Sequence, residues 1–220
     1  MKIEHIQKSY GKKEVLRDIM LSVGKGTCVG ILGGNGSGKS TLLSILAGVI
    51  RADGGTFSVE ERDAFRDGAF RAECIGYVPQ STPLMEELTA LDNLRLWYDK
   101  KDMAASLEDG VLALLGIGDF LRVRVDKMSG GMKKRLAIGC AVAHKPKILL
   151  LDEPSAALDL VCKERISTYL REFKKEGGTI LLATHDVQEL PLCDALYILK
   201  EGRLEPFFFD GDVHRLVGKL

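Results

Sequence analysis

The segment GGNGSGKS, Gly33–Ser40, decides the fold of this 220-residue chain. It fits the pattern G-x-x-x-x-G-K-[ST]. The apolar run TCVGIL at 27–32 precedes it, and KSTLLSILAGVI at 39–50, which has helical spacing, follows it. A strand before and a helix after form the context in which this pattern binds phosphate. The sequence therefore predicts a phosphate-binding loop on an α/β sheet.

The residue types of this loop suit a nucleotide with a magnesium ion. Glycines let the backbone curl so that successive N–H groups face one concavity. The Lys39 ammonium can reach the β- and γ-phosphates, the Ser40 hydroxyl can ligate Mg²⁺, and Thr41 is expected near the α-phosphate. The predicted nucleotide-binding residues of the segment are Gly33, Gly34, Asn35, Gly36, Ser37, Gly38, Lys39, Ser40 and Thr41.

A second segment, KILLLDEP at 147–154, carries the acidic half of the phosphate chemistry. It is an apolar strand that ends in two carboxylates, and an α/β sheet binds its ligands at that edge. Asp152 is predicted to hold Mg²⁺ through water, and Glu153 to orient or deprotonate the attacking water. A solvated acidic turn before Pro154 is the alternative. Together with the loop, the pair predicts a Mg²⁺-nucleotide hydrolase or kinase.

Strand and helix patterns alternate along the rest of the chain. Residues 1–32 and AECIGYVPQ at 72–80 have strand patterns, and leucines recur at helical intervals from about 84 to 127. GTILLATHD at 178–186 is a further apolar run of strand length. Helices are predicted at about 159–176 and 187–192. The patterns predict an α/β fold with a largely parallel sheet and a small helical subdomain.

Composition limits the classes of partner and compartment. Acidic and basic residues balance, 31 against 31, so no general field attracts the chain to nucleic acid or anionic lipid. The five cysteines show no metal-binding spacing, and their odd number fits a reducing compartment. The first residues lack the apolar core of a secretory signal, and no apolar stretch is long enough to span a membrane. We therefore expect a cytoplasmic protein.

Five further segments stand in order around the two phosphate-binding elements. They are QKSYGKKEVL with Tyr10, GYVPQ with Gln80, MSGGM at 128–132, SAALD ending at Asp159, and LLATHD with His185. The whole series resembles the nucleotide-binding subunit of an ATP-binding-cassette (ABC) transporter, from about residue 2 to residue 204. The resemblance implies a P-loop NTPase core with a mixed, largely parallel sheet and an N-terminal antiparallel β-subdomain. It also implies a single domain over 1–220, with a helical signature subdomain at about 81–145.

The resemblance assigns roles to residues that are ordinary when taken alone. It implies that Tyr10 stacks on the adenine, that Gln80 touches Mg²⁺ and the water, and that His185 lies near the γ-phosphate. Without it, a tyrosine or histidine at a strand end and a glutamine after proline are structural residues. The catalytic residues then predicted are Lys39, Glu153 and His185, and the metal ligands are Ser40, Gln80 and Asp152.

Ser129, Gly130, Gly131 and Met132 match the family signature, usually written LSGGQ. They stand at the start of an apolar helix, where free N–H groups and the helix dipole favour an anion. The resemblance implies that they bind the ATP of a second subunit packed head to tail. Met132 replaces the usual glutamine, and the lost polar contacts should cost about 0.5–1.5 kcal/mol. The basic run KKR at 133–135 is predicted to form a solvated helix face.

The implied cofactors are ATP and Mg²⁺, and the implied partners are of two kinds. One is a second ATP-binding subunit, either this chain or a homologue. The other is a set of separate transmembrane permease subunits, which would hold the chain at the cytoplasmic face of the membrane; no nucleic acid is expected. Two alternatives stay open, a non-transport ABC ATPase such as one for cluster assembly, and a catalytically weak regulatory subunit. Lys39, Glu153 and His185 argue against the latter, whereas Met132 keeps it open.

Overall fold

The computed structural model describes all 220 residues, which form ten β-strands and eight α-helices. The strands are β1 (Lys2–Tyr10), β2 (Lys13–Ser22), β3 (Cys28–Leu32), β4 (Gly54–Val59), β5 (Arg62–Asp63), β6 (Ile75–Val78), β7 (Ile148–Asp152), β8 (Thr179–Ala183), β9 (Ala195–Lys200) and β10 (Arg203–Phe207). The helices are α1 (Lys39–Ala47), α2 (Gly68–Cys74), α3 (Ala90–Arg95), α4 (Lys100–Asp109), α5 (Val111–Leu114), α6 (Gly130–Ala141), α7 (Leu160–Lys175) and α8 (Val213–Val217). Three 3₁₀ helices cover Ile117–Phe120, Val125–Lys127 and Val187–Leu192. No helix is both long and apolar enough to cross a membrane.

A six-stranded sheet in the order β10-β9-β3-β8-β7-β6 forms the centre of the fold. Its strands are parallel except for β10, which pairs antiparallel with β9. Successive side chains point to opposite faces, so Leu150 packs in one hydrophobic core while Leu149 and Leu151 pack in the other. Both faces are covered, which is why these strands have continuous apolar sequences. The predicted mixed, largely parallel sheet is confirmed.

The N-terminal strands form a second sheet, in the order β2-β1-β4-β5, whose pairings are all antiparallel. Its apolar side chains, among them the fully buried Ile3, Ile6 and Phe57, share a core with helix α1 and one face of the central sheet. Burial of a side chain of this size contributes about 1.5–3 kcal/mol. The predicted antiparallel β-subdomain is confirmed.

Helices α3 to α7 pack in the core on the opposite face of the central sheet. The predicted helical region agrees with α3, α4 and α5, and the predicted helices at 159–176 and 187–192 agree with α7 and a 3₁₀ helix. The limits of a subdomain at 81–145 remain a prediction. Four of the five cysteines are buried and none forms a disulfide, as their apolar surroundings indicate.

The strand predicted over 72–80 is wrong at its start, because residues 72–74 complete helix α2 and β6 begins at Ile75. The Asp67 carboxylate caps α2 by accepting a hydrogen bond from the Phe70 N–H at 2.9 Å. Such a cap satisfies a free donor in the first turn and is worth about 1 kcal/mol. Phe70 and Cys74 bury one face of the helix, and these tertiary contacts outweigh the local strand pattern.

Candidate active site

Four adjacent parallel strands place the predicted site residues at one edge of the sheet. The phosphate loop follows β3, and His185 follows β8 by two residues. Asp152 ends β7, with Glu153 next to it, and Gln80 follows β6 by two residues. The strand order β3-β8-β7-β6 therefore brings together side chains that lie far apart in the sequence.

The phosphate loop needs glycine at two positions for different reasons. Gly38, which precedes α1, has φ 110°, and a Cβ there would lie 3.0 Å from both Val15 and Leu16. Gly36 has φ 76° and no atom within 4 Å of such a Cβ, which leaves space beside the backbone. The hydroxyl of Ser37 is buried without a partner. An open backbone concavity with a free polar atom at a helix start fits the phosphates of a nucleotide.

The Lys39 side chain is buried and folds back across this loop. Its ammonium donates to the carbonyl of Gly33 at 2.6 Å and to that of Gly34 at 3.3 Å. Burial lowers the pKa of Lys39, while the carboxylates of Glu153 and Asp152 act in the opposite direction. The ammonium thus lies at the loop, within the electrostatic influence of both carboxylates, where it can neutralise the charge of a bound phosphate.

Glu153 is held from two sides by side chains that follow other strands of the sheet. Gln80 Nε2 donates to Glu153 Oε2 at 3.2 Å, and His185 Nδ1 lies 3.0 Å from Glu153 Oε1. Glu153 itself has φ 49°, a left-handed conformation that non-glycine residues seldom adopt, and its N–H donates to the Ala183 carbonyl at 2.9 Å. The carboxylate is consequently fixed, with only 11% of the side chain exposed.

Asp152 is buried beside Ser40, the last residue of the phosphate-loop pattern. Burial raises the pKa of Asp152, and the Ser40 hydroxyl and the nearby lysines only partly oppose that effect. The chain contains no cluster of three or more His, Cys, Asp or Glu that would form a complete metal cage. A hydroxyl, a carboxylate and the Gln80 amide oxygen nevertheless fit Mg²⁺, which is usually held by few protein ligands together with substrate phosphates.

Tyr10 and the signature residues lie outside this cluster. Tyr10 ends β1 and is 48% exposed, next to the hairpin that places Val15 against Gly38. Ser129 caps α6, with its hydroxyl accepting from the Met132 N–H at 3.3 Å. The Met132 side chain packs against the core of the helical region, where a thioether is well suited. The structure therefore groups the predicted catalytic residues and leaves the signature elsewhere on the same chain.

The predicted solvated face at 133–135 is wrong for two of its three residues. Lys134 is 6% and Arg135 8% exposed, and each donates to backbone carbonyls of another segment. Only Lys133 is at the surface, where it pairs with Glu86 at 3.2 Å. Helical spacing could have predicted the burial of Lys134 and Arg135. They precede Ile138 and Gly139 by four residues, and residues four apart share a face of a helix.

The sequence profile of the ABC transporter family matches residues 16–156. The chain belongs to this family. Linearmycin resistance ATP-binding protein LnrL of Bacillus subtilis is 33% identical to this ABC chain, over 93% of the chain and 67% of the relative. Lantibiotic transport ATP-binding protein SrtF of Streptococcus pyogenes is 32% identical, over 93% of the chain and 88% of the relative. This ABC chain is thus an ATP-binding subunit that powers transport.

Solved structures of ABC cassettes share the fold. A dimeric cassette in a post-hydrolysis state, bound to ADP and Pi, superposes with a TM-score of 0.83 at 27% identity, covering 96% of this chain and 99% of the other. The similarity confirms the predicted fold class and, with family membership, supports binding and hydrolysis of ATP by the ABC chain. The roles of individual residues at its site stay predictions.

Proposed function

We propose that this ABC subunit hydrolyses ATP with Mg²⁺ at the site around Glu153. One observation carries the proposal: Gln80 and His185 both contact the Glu153 carboxylate, and they hold it at the same sheet edge as the phosphate loop that Lys39 contacts. A carboxylate fixed in this way can orient water for attack on a phosphate that the loop holds.

Each residue of the site has a defined task in this proposal. The N–H groups of Gly33–Ser40 and the start of α1 bind the phosphates, and the Lys39 ammonium neutralises their charge. Ser40, Gln80 and Asp152 hold Mg²⁺, which supplies further charge neutralisation on the phosphates. Glu153 aligns the attacking water and accepts its proton, and His185 keeps the carboxylate in place and faces the γ-phosphate.

The signature residues act on the nucleotide of a second subunit. Ser129 and Gly130 are exposed at the start of the 12-residue helix α6, so their N–H groups are available to another molecule. ATP would then lie between two head-to-tail cassettes, and its hydrolysis would release the contact. The further partners are separate transmembrane permease subunits, which place the cassette at the cytoplasmic membrane face. The dimeric cassette that resembles this chain supports the pairing.

The proposal is tested by replacing the clamped carboxylate with its amide. Glu153→Gln should lower ATP turnover by at least ~100-fold, because general-base and orienting groups contribute that much. ATP binding, measured by equilibrium dialysis, should persist, since the amide keeps the shape of the side chain. Glu164→Gln is the matched control, because Glu164 is exposed on α7 and contacts only neighbouring side chains of that helix.

Chelation of Mg²⁺ should abolish turnover in both the wild type and the control. Equal turnover in the wild type and Glu153→Gln would contradict the assigned role of Glu153. Undiminished turnover in excess chelator would contradict the role of Mg²⁺.

A further inference from the structure

Lys134 is a buried cation in helix α6 whose partners lie in a different segment. Its ammonium donates to the Pro79 carbonyl at 3.2 Å and to the Gln80 carbonyl at 3.1 Å. Only 6% of the residue is exposed. A buried ammonium keeps its charge only where acceptors replace water, so these two contacts determine where the Gln80 backbone can lie.

The Gln80 loop leads directly to the proposed catalytic carboxylate. The Gln80 backbone carbonyl accepts from Lys134, while its side-chain amide donates to Glu153. Burial lowers the pKa of Lys134, whereas Asp152, Glu153 and Glu189 raise it, so the ammonium lies within the field of these acidic groups. Gln80 thus connects Lys134 to Glu153 by hydrogen bonds, and the charges of Lys134 and Glu153 also interact directly.

The two basic neighbours of Lys134 point elsewhere. Lys133 makes a surface ion pair with Glu86. Arg135 donates to the Leu115 carbonyl at 2.7 Å and lies over the ring of Phe120, inside the helical region. Of three consecutive basic residues, therefore, Lys134 contacts the site, and Lys133 is a matched control for the loss of a lysine from the same helix.

We propose that Lys134 is a positioning residue, which holds the Gln80 backbone so that the Gln80 amide meets Glu153. This inference rests on the proposed function of Glu153. It also links two parts of one chain, because Lys134 follows Ser129 by five residues, a rise of about 7.5 Å along a helix.

The test compares Lys134→Met with Lys133→Met. Methionine keeps the length and bulk of lysine but removes the charge and the donors. In Lys134→Met, kcat should fall roughly tenfold or more, because small misplacements of catalytic groups are costly, while KM for ATP stays within about twofold. Lys133→Met should retain wild-type kcat. Lys134→Gln, which restores an N–H donor, should recover part of the loss.

A double-mutant cycle separates positioning from general damage to the fold. If Lys134 acts through Gln80, its effect requires the Gln80 amide, which Gln80→Ala removes. In that background, Lys134→Met should change kcat by less than about twofold. Emission of Trp97, the single tryptophan, and thermal unfolding should show that each variant is folded. Independent, multiplicative losses in the double variant would overturn the proposal.

The outcomes also distinguish this inference from the proposed function. Wild-type hydrolysis together with equal kcat in Lys134→Met and Lys133→Met would overturn the role of Lys134 alone. A pure wild-type protein that binds ATP but shows no hydrolysis would overturn the proposed function and this inference together.

Discussion

Tyr10 has an aromatic ring that is exposed enough to stack on the adenine of a bound nucleotide. Its ring is half exposed at the end of β1, and the ammonium of Lys8 lies 5.5 Å from the ring centre. If the ring stacks on adenine, Tyr10→Ala should raise KM for ATP roughly fivefold or more and change kcat little, because stacking is worth about 1–3 kcal/mol in ground and transition states alike. Tyr10→Phe keeps the ring and should retain wild-type KM. An unchanged KM in Tyr10→Ala would make the residue a structural tyrosine.

Glu189 provides a prediction on stability and pH. Its carboxyl group is buried beside Ser155 and Thr184, one oxygen has no partner, and burial raises its pKa more than the two hydroxyls lower it. The folded protein therefore holds this proton more tightly than the unfolded chain does. Its stabilising effect is complete below the ordinary glutamate pKa, about 4.3, and is lost as pH rises through the raised folded value.

Glu189→Gln should accordingly raise Tm at pH 7, by on the order of 2–4 °C. The difference from wild type should shrink toward zero near pH 4, where both side chains are neutral. Thermal unfolding followed at several pH values tests this. A constant difference across that range would mean that the charge of Glu189 is not the cause.

At the scale of the element, helix α6 begins with two glycines that differ in their surroundings. A Cβ on Gly131 would lie 2.5 Å from the Cys162 sulfur, whereas one on Gly130 would meet only Leu158, at 3.9 Å. Gly131→Ala should thus lower the free energy of unfolding by about 1–3 kcal/mol through overpacking. Gly130→Ala should leave it unchanged or slightly higher, because alanine is the better helix former.

The two glycine variants distinguish an effect on stability from an effect on ATP hydrolysis. Denaturant unfolding measures the stability of each variant, and ATP turnover measures its activity. If the Gly130 N–H faces the phosphate of a partner's nucleotide, Gly130→Ala should reduce turnover although its stability is normal. Normal turnover in Gly130→Ala, or equal stability of both variants, would contradict this reading of the helix start.

Elements with short-range signals could be predicted from the sequence. The phosphate loop has its pattern, and the strands before Glu153 and His185 are apolar because both faces of the sheet are covered. Since parallel strands bring their carboxyl ends to one edge, the grouping of Glu153 with Lys39 followed from the same reasoning, whereas the place of His185 near the γ-phosphate was implied by the family resemblance.

Features that depend on distant contacts could not be predicted in this way. Helical spacing places Lys134 on a buried face, but the carbonyls that accept from its ammonium lie more than fifty residues earlier in the chain, at 79 and 80. Helix α2 depends on the Asp67 cap and on packing of Phe70, neither of which is visible in the strand-like pattern of 72–80. The run of charges at 133–135 therefore favoured a solvated face, and the local pattern of 72–80 favoured a strand.

At the scale of the whole molecule, the signature and the phosphate loop belong to separate parts of the chain. Lys39 lies at the edge of the central sheet, while the exposed Ser129 caps α6 in the helical region. In the proposed head-to-tail pairing, the phosphate loop of one chain and the signature of another bind the same nucleotide. A variant that is inactive through its phosphate loop and one that is inactive through its signature should therefore restore activity when they are combined.

Lys39→Ala removes the loop ammonium, and Ser129→Arg obstructs the signature with bulk and charge. In a head-to-tail heterodimer of the two variants, both lesions fall in one site, and the other site combines intact Lys39 with intact Ser129. Mixing the purified variants should restore part of the ATP turnover, up to about one quarter of the wild-type value, because half of the dimers are mixed and one of their two sites is intact. Exchange is checked with differently labelled subunits. If exchange is complete and turnover stays at the level of the separate variants, Ser129 does not act on a partner's nucleotide.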